Sequence, residues 1–284
     1  MKERNSTYDI RKATLGYQEE VERLKVQAMM GWHKEFRNLQ WYGLKNGMNV
    51  LELGSGPGFV TEQLANNLPD SEITALEIDS SLLDEARNRL HYIPSSRLHF
   101  VQESVYDTGL PDNSYDFAVA RLLFLHLHNP LKAAQEIYRI LKPGGKLVII
   151  DIDDGIFGAI YPDIMLLPSV LRKLADYQAS KGGNRYIGRS LPRLLASTGY
   201  IDLDIDTVTQ HSDLHGVEGF KRQFDITRFK GFYQKGIINI EEFEQLKQAS
   251  ENINDSPEAY AMMNFVMAYG KKPAHWVNQL SIKV

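Results

Sequence analysis

Between residues 47 and 153, short apolar runs alternate with amphipathic stretches, and this alternation confines the chain to an α/β architecture. MNVLELG (48–54) reads as a buried strand, and FVTEQLANNL (59–68) as the helix that follows it. EITALEID (72–79) is a second strand. Ser80 or Ser81 is placed to cap a helix whose Leu82, Leu83, Ala86 and Leu90 share one face. RLHFVQ (97–102) and YDFAVAR (115–121) supply strands three and four. Helix LKAAQEIYRI (131–140) and the turn KPGG lead into strand five, KLVIIDID (146–153). Strands this uniformly apolar are buried on both faces, as in a parallel sheet with helices on either side.

Outside this stretch the periodicity predicts mainly helices. Over 14–40, Val21, Leu24, Ala28, Trp32 and Phe36 recur every three or four residues and form one apolar stripe. Further helices are expected over 164–180 and 189–198, a strand over 201–209, helices within 215–252 and a last strand over 260–269. The last two strands would form an antiparallel pair at the sheet edge. The expected organisation is an N-terminal helical cap (1–46), one domain (47–272) with helical insertions near 155–190 and 212–258, and a loosely held tail (273–284) with Trp276 docked.

Composition excludes several kinds of chemistry. The chain has no cysteine, so disulfides, thiolate zinc sites, iron–sulfur clusters and a cysteine nucleophile are ruled out. The most apolar long stretch, 155–171, is interrupted by Tyr161, Pro162, Asp163 and Pro168, and a spanning helix needs about 20 apolar residues. The polar start has no signal-peptide core, so a cytoplasmic protein with no membrane partner is expected. Residues 50–160 hold 8 basic and 16 acidic side chains, and residues 1–49 hold 9 and 6 without a dense run. Nucleic-acid binding depends on clustered positive charge, so no nucleic-acid partner is expected.

The most informative segment is Val50-Leu-Glu-Leu-Gly-Ser-Gly-Pro-Gly-Phe-Val60, which sets Gly54, Gly56 and Gly58 between a strand and a helix. In open α/β sheets ligands bind beyond the carboxyl ends of the strands at such a turn. A dinucleotide fingerprint requires its third glycine where Phe59 stands, and a phosphate loop requires a Gly-Lys-Ser/Thr ending that is absent. Glu52, an acid inside strand one, would repel a pyrophosphate and orient a cation. The ligand inferred is therefore positively charged. Glu77 ends strand two, where an acid can accept hydrogen bonds from both hydroxyls of a ribose. Ser104 and Val105 follow strand three, where a side-chain oxygen and a backbone N–H can read an adenine edge.

Together these residues resemble the class I S-adenosylmethionine-dependent methyltransferases over about 47–153. VLELGSGPG matches the family's glycine-rich motif, and ALEIDSSLLDEAR its acidic loop. LPDNSYDFAVARLLFLHLHNP resembles the strand-four motif and LKPGGKLVIIDID the strand-five entry, with weaker similarity at YIGRSLPRLLASTGY (186–200). Glu103-Ser104 departs from the Gly-Asp of many members. The resemblance implies a Rossmann-like, seven-stranded, mostly parallel sheet with an antiparallel last strand and a helical lid. It implies S-adenosyl-L-methionine as cofactor, with Glu52, Gly54, Ser55, Gly56, Gly58, Glu77, Ile78, Ser104 and Val105 around it. Arg121 would meet the cofactor's carboxylate, and Tyr17 and Gln27 the methionyl end.

His126 matches a histidine common in that family and is the candidate for a catalytic role; local packing is the competing reading, preferred for His128. Asp79 reads as a helix cap or an exposed acid and not as a ligand contact. Asp151, Asp153 and Asp154 cluster after strand five, but no metal is expected, because strand four offers Arg121 where a metal site would place a carboxylate. The implied activity is methyl transfer to a small-molecule acceptor by a monomer or homodimer. The alternatives are a cyclase or isomerase using the same bound sulfonium, and an RNA or protein methyltransferase.

Overall fold

The computed structural model describes residues 6–12, 16–215, 220 and 226–274. The expected docking of Trp276 and the helical readings at 216–219 and 221–225 lie outside the described residues. The central strands are β1 (Asn49–Leu53), β2 (Glu72–Leu76), β3 (Leu98–Val101), β4 (Tyr115–Arg121) and β5 (Leu141–Asp151). They run parallel in the order β3-β2-β1-β4-β5. The KPGG turn falls within β5, where the register on β4 skips from Leu141 to Lys146.

The side chains of these strands alternate between two cores. Val50, Phe117, Val119, Val148 and Ile150 pack on one face with α1 (Tyr17–Trp41) and α2 (Phe59–Asn67). Leu51, Leu53, Ala118, Ala120, Leu147 and Ile149 pack on the other with α4 (Pro130–Ile140) and α6 (Leu191–Thr198). Two apolar faces on each strand are the physical reason the sheet is parallel and doubly covered.

The sheet is completed by β6 (Gly158–Tyr161), β7 (Ile201–His211) and β8 (Tyr260–Lys271). β8 runs antiparallel to all three of its partners. β7 lies along one edge of β8, while β5 and then β6 share the other. All seven expected strands are present, and β6 makes an eighth. β6 escaped the sequence reading because it has four mostly exposed residues beginning with glycine, too few to show a period.

Caps set the helix starts. Asp79, not Ser80 or Ser81, is the N-cap of α3 (Ser80–Arg89): its carboxylate accepts hydrogen bonds from the backbone N–H groups of Ser81 (2.9 Å) and Leu82 (3.4 Å). Gly58 caps α2 at φ 80°, and a Cβ there would lie 2.9 Å from the Cβ of Ala86 in α3. Gly58→Ala is expected to cost about 1–3 kcal/mol, from left-handed strain plus overpacking. An unchanged urea midpoint would show that α2 and α3 can move apart.

The third core belongs to the helices over the carboxyl edge. Val170 and Leu174 of α5 (Leu167–Ala179) meet Phe229 of α8 (Ile226–Gln234) and Leu246 and Ile253 of α9 (Ile240–Asp255); α7 is the short Ser212–His215. Met30 of α1 and Met263 of β8 join this cluster, so the two parts of the lid close on each other. α1 is also tied to the edge strands. Lys34 Nζ donates to the Thr209 carbonyl (2.5 Å), Asn38 Nδ2 to Asp206 (3.1 Å), and Tyr42 stacks on Tyr269 with ring centres 4.8 Å apart. Among the described residues, no helix is long and apolar enough to cross a membrane.

Candidate active site

The turn after β1 is held by backbone hydrogen bonds on one side and one carboxylate on the other. The N–H groups of Gly54 (2.8 Å) and Ser55 (3.1 Å) both donate to the Leu76 carbonyl. Glu77 accepts the N–H of Gly56 on Oε2 (3.0 Å) and that of Asp79 on Oε1 (2.9 Å). Each oxygen keeps acceptor capacity. Burial raises the Glu77 carboxyl, and the two amides oppose that rise. Gly56 has φ 54°, and the place its Cβ would occupy has nothing within 4 Å. Beside it Ser55 Oγ is buried with no hydrogen-bond partner among the described residues. An unpaired buried hydroxyl is costly, so this geometry suits a ligand with a polar group at the turn.

A cavity of about 1530 Å³ opens from this turn. Single-ligand pockets span about 300–1,000 Å³, so there is room for two molecules. Gly54, Ser55, Gly56, Glu52, Glu77, Ile78, Ser104, Val105 and Arg121 line it, as does Gln27 from α1. Ser104 Oγ accepts the N–H of Tyr106 (3.2 Å), shaping the loop after β3.

Several candidates differ from their sequence reading. Glu52 is fully buried and accepts the Thr61 hydroxyl of α2 at 2.5 Å. Burial pushes its carboxyl up to about 8, with the Thr61 hydrogen bond and Arg121 opposing that rise. Arg121 lines the cavity with most of its fork already engaged: Nε and Nη2 donate to the Glu35 carboxylate (2.7 and 3.0 Å), and Nη2 also to the Gln27 carbonyl (2.9 Å). Tyr17 is not among the lining residues, because its hydroxyl donates to the Ser81 carbonyl (3.0 Å) and ties α1 to α3.

His126 lines the cavity, with Nδ1 2.7 Å from the Thr7 hydroxyl and its ring against Tyr8 at 5.4 Å. Burial, then Arg185 and Arg23, push it down to about 3, so it is a neutral imidazole and a weak base. The acidic cluster is spent on structure. Asp153 pairs with Arg189, Asp154 with Arg185, and Asp151 accepts the N–H groups of Leu125 and Ile152. Among the described residues, no group of three His, Asp or Glu side chains could hold a metal.

The sequence reading missed Glu35, whereas Tyr8 is one of the aromatic residues, with Tyr17, Trp32, Tyr42 and Tyr161, that it weighs as core or acceptor wall without choosing among them. Glu35 was detectable: with Ala28, Trp32 and Leu39 it falls on the buried stripe of α1, and an acid there requires a partner. Tyr8 precedes the helix and carries no periodic signal. Its hydroxyl donates to Glu20 (3.1 Å) beside Arg23, at the cavity wall.

Comparison with known proteins agrees with this geometry. Residues 51–149 match the family model described as a methyltransferase domain. An uncharacterized methyltransferase of Schizosaccharomyces pombe is 27% identical over 154 residues, covering 52% of this chain and 55% of that protein. The ubiquinone/menaquinone biosynthesis C-methyltransferase UbiE of Pseudoalteromonas translucida is 30% identical over 111 residues, covering 38% and 44%. The chain thus spans about half the length of these curated relatives. Among solved structures, a phosphoethanolamine N-methyltransferase 2 of Haemonchus contortus, in complex with phosphomonomethylethanolamine and S-adenosylhomocysteine, has a TM-score of 0.55 at 19% identity. That likeness covers 86% of this chain and 53% of the other. The 4+2 cyclase SpnF has a TM-score of 0.52 at 18% identity, covering 95% and 86%. These two likenesses speak for the fold. Residues 51–149 are thus similar in sequence to the methyltransferase-domain family, and the Rossmann-like sheet they build shares its fold with these solved structures.

Proposed function

We propose that the protein transfers a methyl group from S-adenosyl-L-methionine to a small-molecule acceptor held beneath the helical lid. The observation that carries this reading is the buried Glu77 carboxylate bracing Gly56 beside the unpartnered Ser55 hydroxyl, all facing one large cavity. Glu77 can accept both ribose hydroxyls while it holds the turn. In this reading Ser104 and Val105, which line the cavity after β3, would meet the adenine edge, with Ile78 of the same lining beside it. The turn Gly54–Pro57 leaves room for the methionyl end, and Glu52 and Gln27 complete that wall, while Gly58 packs against Ala86 of α3 instead of lining the cavity. Arg121 enters this reading as the clamp of α1, not as a ligand for the carboxylate.

When bound, the cofactor supplies a methyl group on a sulfonium, open to in-line displacement by a nucleophile. What the chain contributes is position and exclusion of water: α1, α5 and α8 cover the carboxyl edge, and proximity supplies most of the gain. His126, pushed down to about 3, is too weak a base to serve near neutral pH. This favours acceptors that attack as neutral amines or as anions already formed.

Calorimetry with S-adenosylmethionine and S-adenosylhomocysteine tests the reading directly, and absence of binding to the folded protein overturns it. Glu77→Ala should weaken either ligand by about 1–3 kcal/mol through lost hydrogen bonds to a charged group. An unchanged dissociation constant removes Glu77 from the site.

A further inference from the structure

Leu122, the first residue after β4, lines the cavity with φ 52°. A side chain this bulky disfavours that left-handed backbone, which persists only where the surroundings impose it. Here hydrogen bonds onto the following turn impose it. The Leu122 N–H donates to the Ile150 carbonyl (2.7 Å). Asp151, fully buried at the end of β5, accepts the Leu125 N–H on Oδ2 (3.0 Å) and the Ile152 N–H on Oδ1 (2.8 Å), and the Phe124 N–H adds to them. The Leu125 carbonyl accepts Gln178 Nε2 of α5 and the Asn184 N–H, both at 2.8 Å, and the His126 carbonyl accepts the Thr7 N–H (2.9 Å). The turn thus reaches from the glycine turn to the lid. Leu123 lies against the former, its Cδ1 3.1 Å from where a Cβ on Gly54 would stand, and Leu125, His126 and Leu127 line the cavity beyond it.

We propose that Asp151 is a positioning residue: by holding the amides of this turn it keeps Leu122 left-handed, and so sets Leu123 against the cofactor turn and His126 in the wall beyond. Two carboxyl oxygens can take amides from both sides, whereas an asparagine must turn its NH2 toward one of them. The inference rests on the methyltransferase reading for what the cavity binds, and on geometry alone for how the turn is held.

Asp151→Asn in the full chain is the test. Amide hydrogen exchange over residues 122–128 should rise by about ten-fold, while β2 and α3 exchange as in the wild type. His126, kept neutral by burial and by Arg185 and Arg23, should shift in NMR titrations from about 3 toward its ordinary 6.5. S-adenosylhomocysteine should bind about ten-fold more weakly by calorimetry. Adding Leu122→Gly, which takes φ 52° without strain, should restore slow exchange and most of that affinity. A general loss of stability at Asp151 would not respond to a glycine at Leu122. If Asp151→Asn fails to fold, Gln178→Ala removes the opposite anchor and should raise the same exchange. Unchanged exchange over 122–128, exchange raised equally throughout the chain, or no recovery with Leu122→Gly overturns the proposal. If the wild type does not bind S-adenosylhomocysteine while exchange and recovery follow as stated, the methyltransferase reading falls and the role of Asp151 on the turn stands.

Discussion

Glu35→Ala is expected to lower the unfolding free energy by about 3–5 kcal/mol, because it leaves the buried guanidinium of Arg121 without its counter-charge. The Glu35 side chain is fully buried and that of Arg121 is 8% exposed, and two hydrogen bonds of 2.7 and 3.0 Å join them. Helix α1 makes room for this pair. Gly31 lies one turn before Glu35, and a Cβ at Gly31 would overlap the Glu35 carboxylate. A natural domain is stable by about 5–15 kcal/mol, so the loss would leave little margin. Urea unfolding measures it, and a midpoint equal to that of the wild type would show that the pair contributes nothing. The double variant Glu35→Met with Arg121→Met should regain much of the loss, since apolar replacement of a whole buried pair is often neutral. Its weakness should then be functional, because Arg121 also holds the Gln27 carbonyl of the helix that closes the cavity.

The second large effect is a pH dependence carried by Glu52. Its carboxyl is pushed from 4.5 up to about 8 by burial. Between those values the folded chain holds a proton that the unfolded chain has released. Stability from this group is therefore full below about pH 4.5 and falls as pH rises, by about 1.4 kcal/mol per pH unit at most. Glu52→Gln keeps an acceptor for the Thr61 hydroxyl and cannot ionise. The stability of the variant minus that of the wild type should increase by several kcal/mol between about pH 5 and 8. Asp151, raised to about 7, and His126, lowered to about 3, titrate in both proteins, so the subtraction isolates Glu52. A difference that stays flat across that range would mean Glu52 is already ionised in the fold.

How far the fold was legible follows from how local each signal was. YDFAVAR became β4 over the same residues, 115–121, because an apolar run between polar flanks has one solution in a doubly covered sheet. The four residues of β6 exist only because the first third of β8 extends past the end of β5 and leaves its edge open. The glycine turn and Glu77 were legible because a strand–turn–helix fixes where backbone N–H groups point. The family resemblance puts Arg121 at the ligand from the end of strand four and Tyr17 from the helix that closes over the methionyl end, and neither position reveals a distant partner. Their partners, Glu35 and the Ser81 carbonyl, lie 86 and 64 residues away in sequence.

By itself, the order of the amino acids determined the parallel sheet, its central turn and the acid that braces it, since those depend on residues a few positions apart and on backbone geometry that few sequences satisfy. Tertiary structure alone decided the charges. It raised the Glu52 carboxyl by burying it, tied Arg121 to Glu35 of α1, and paired Arg185 with Asp154. The physical reason is that burial and electrostatic energy depend on distances through space, which a linear pattern of residues does not contain.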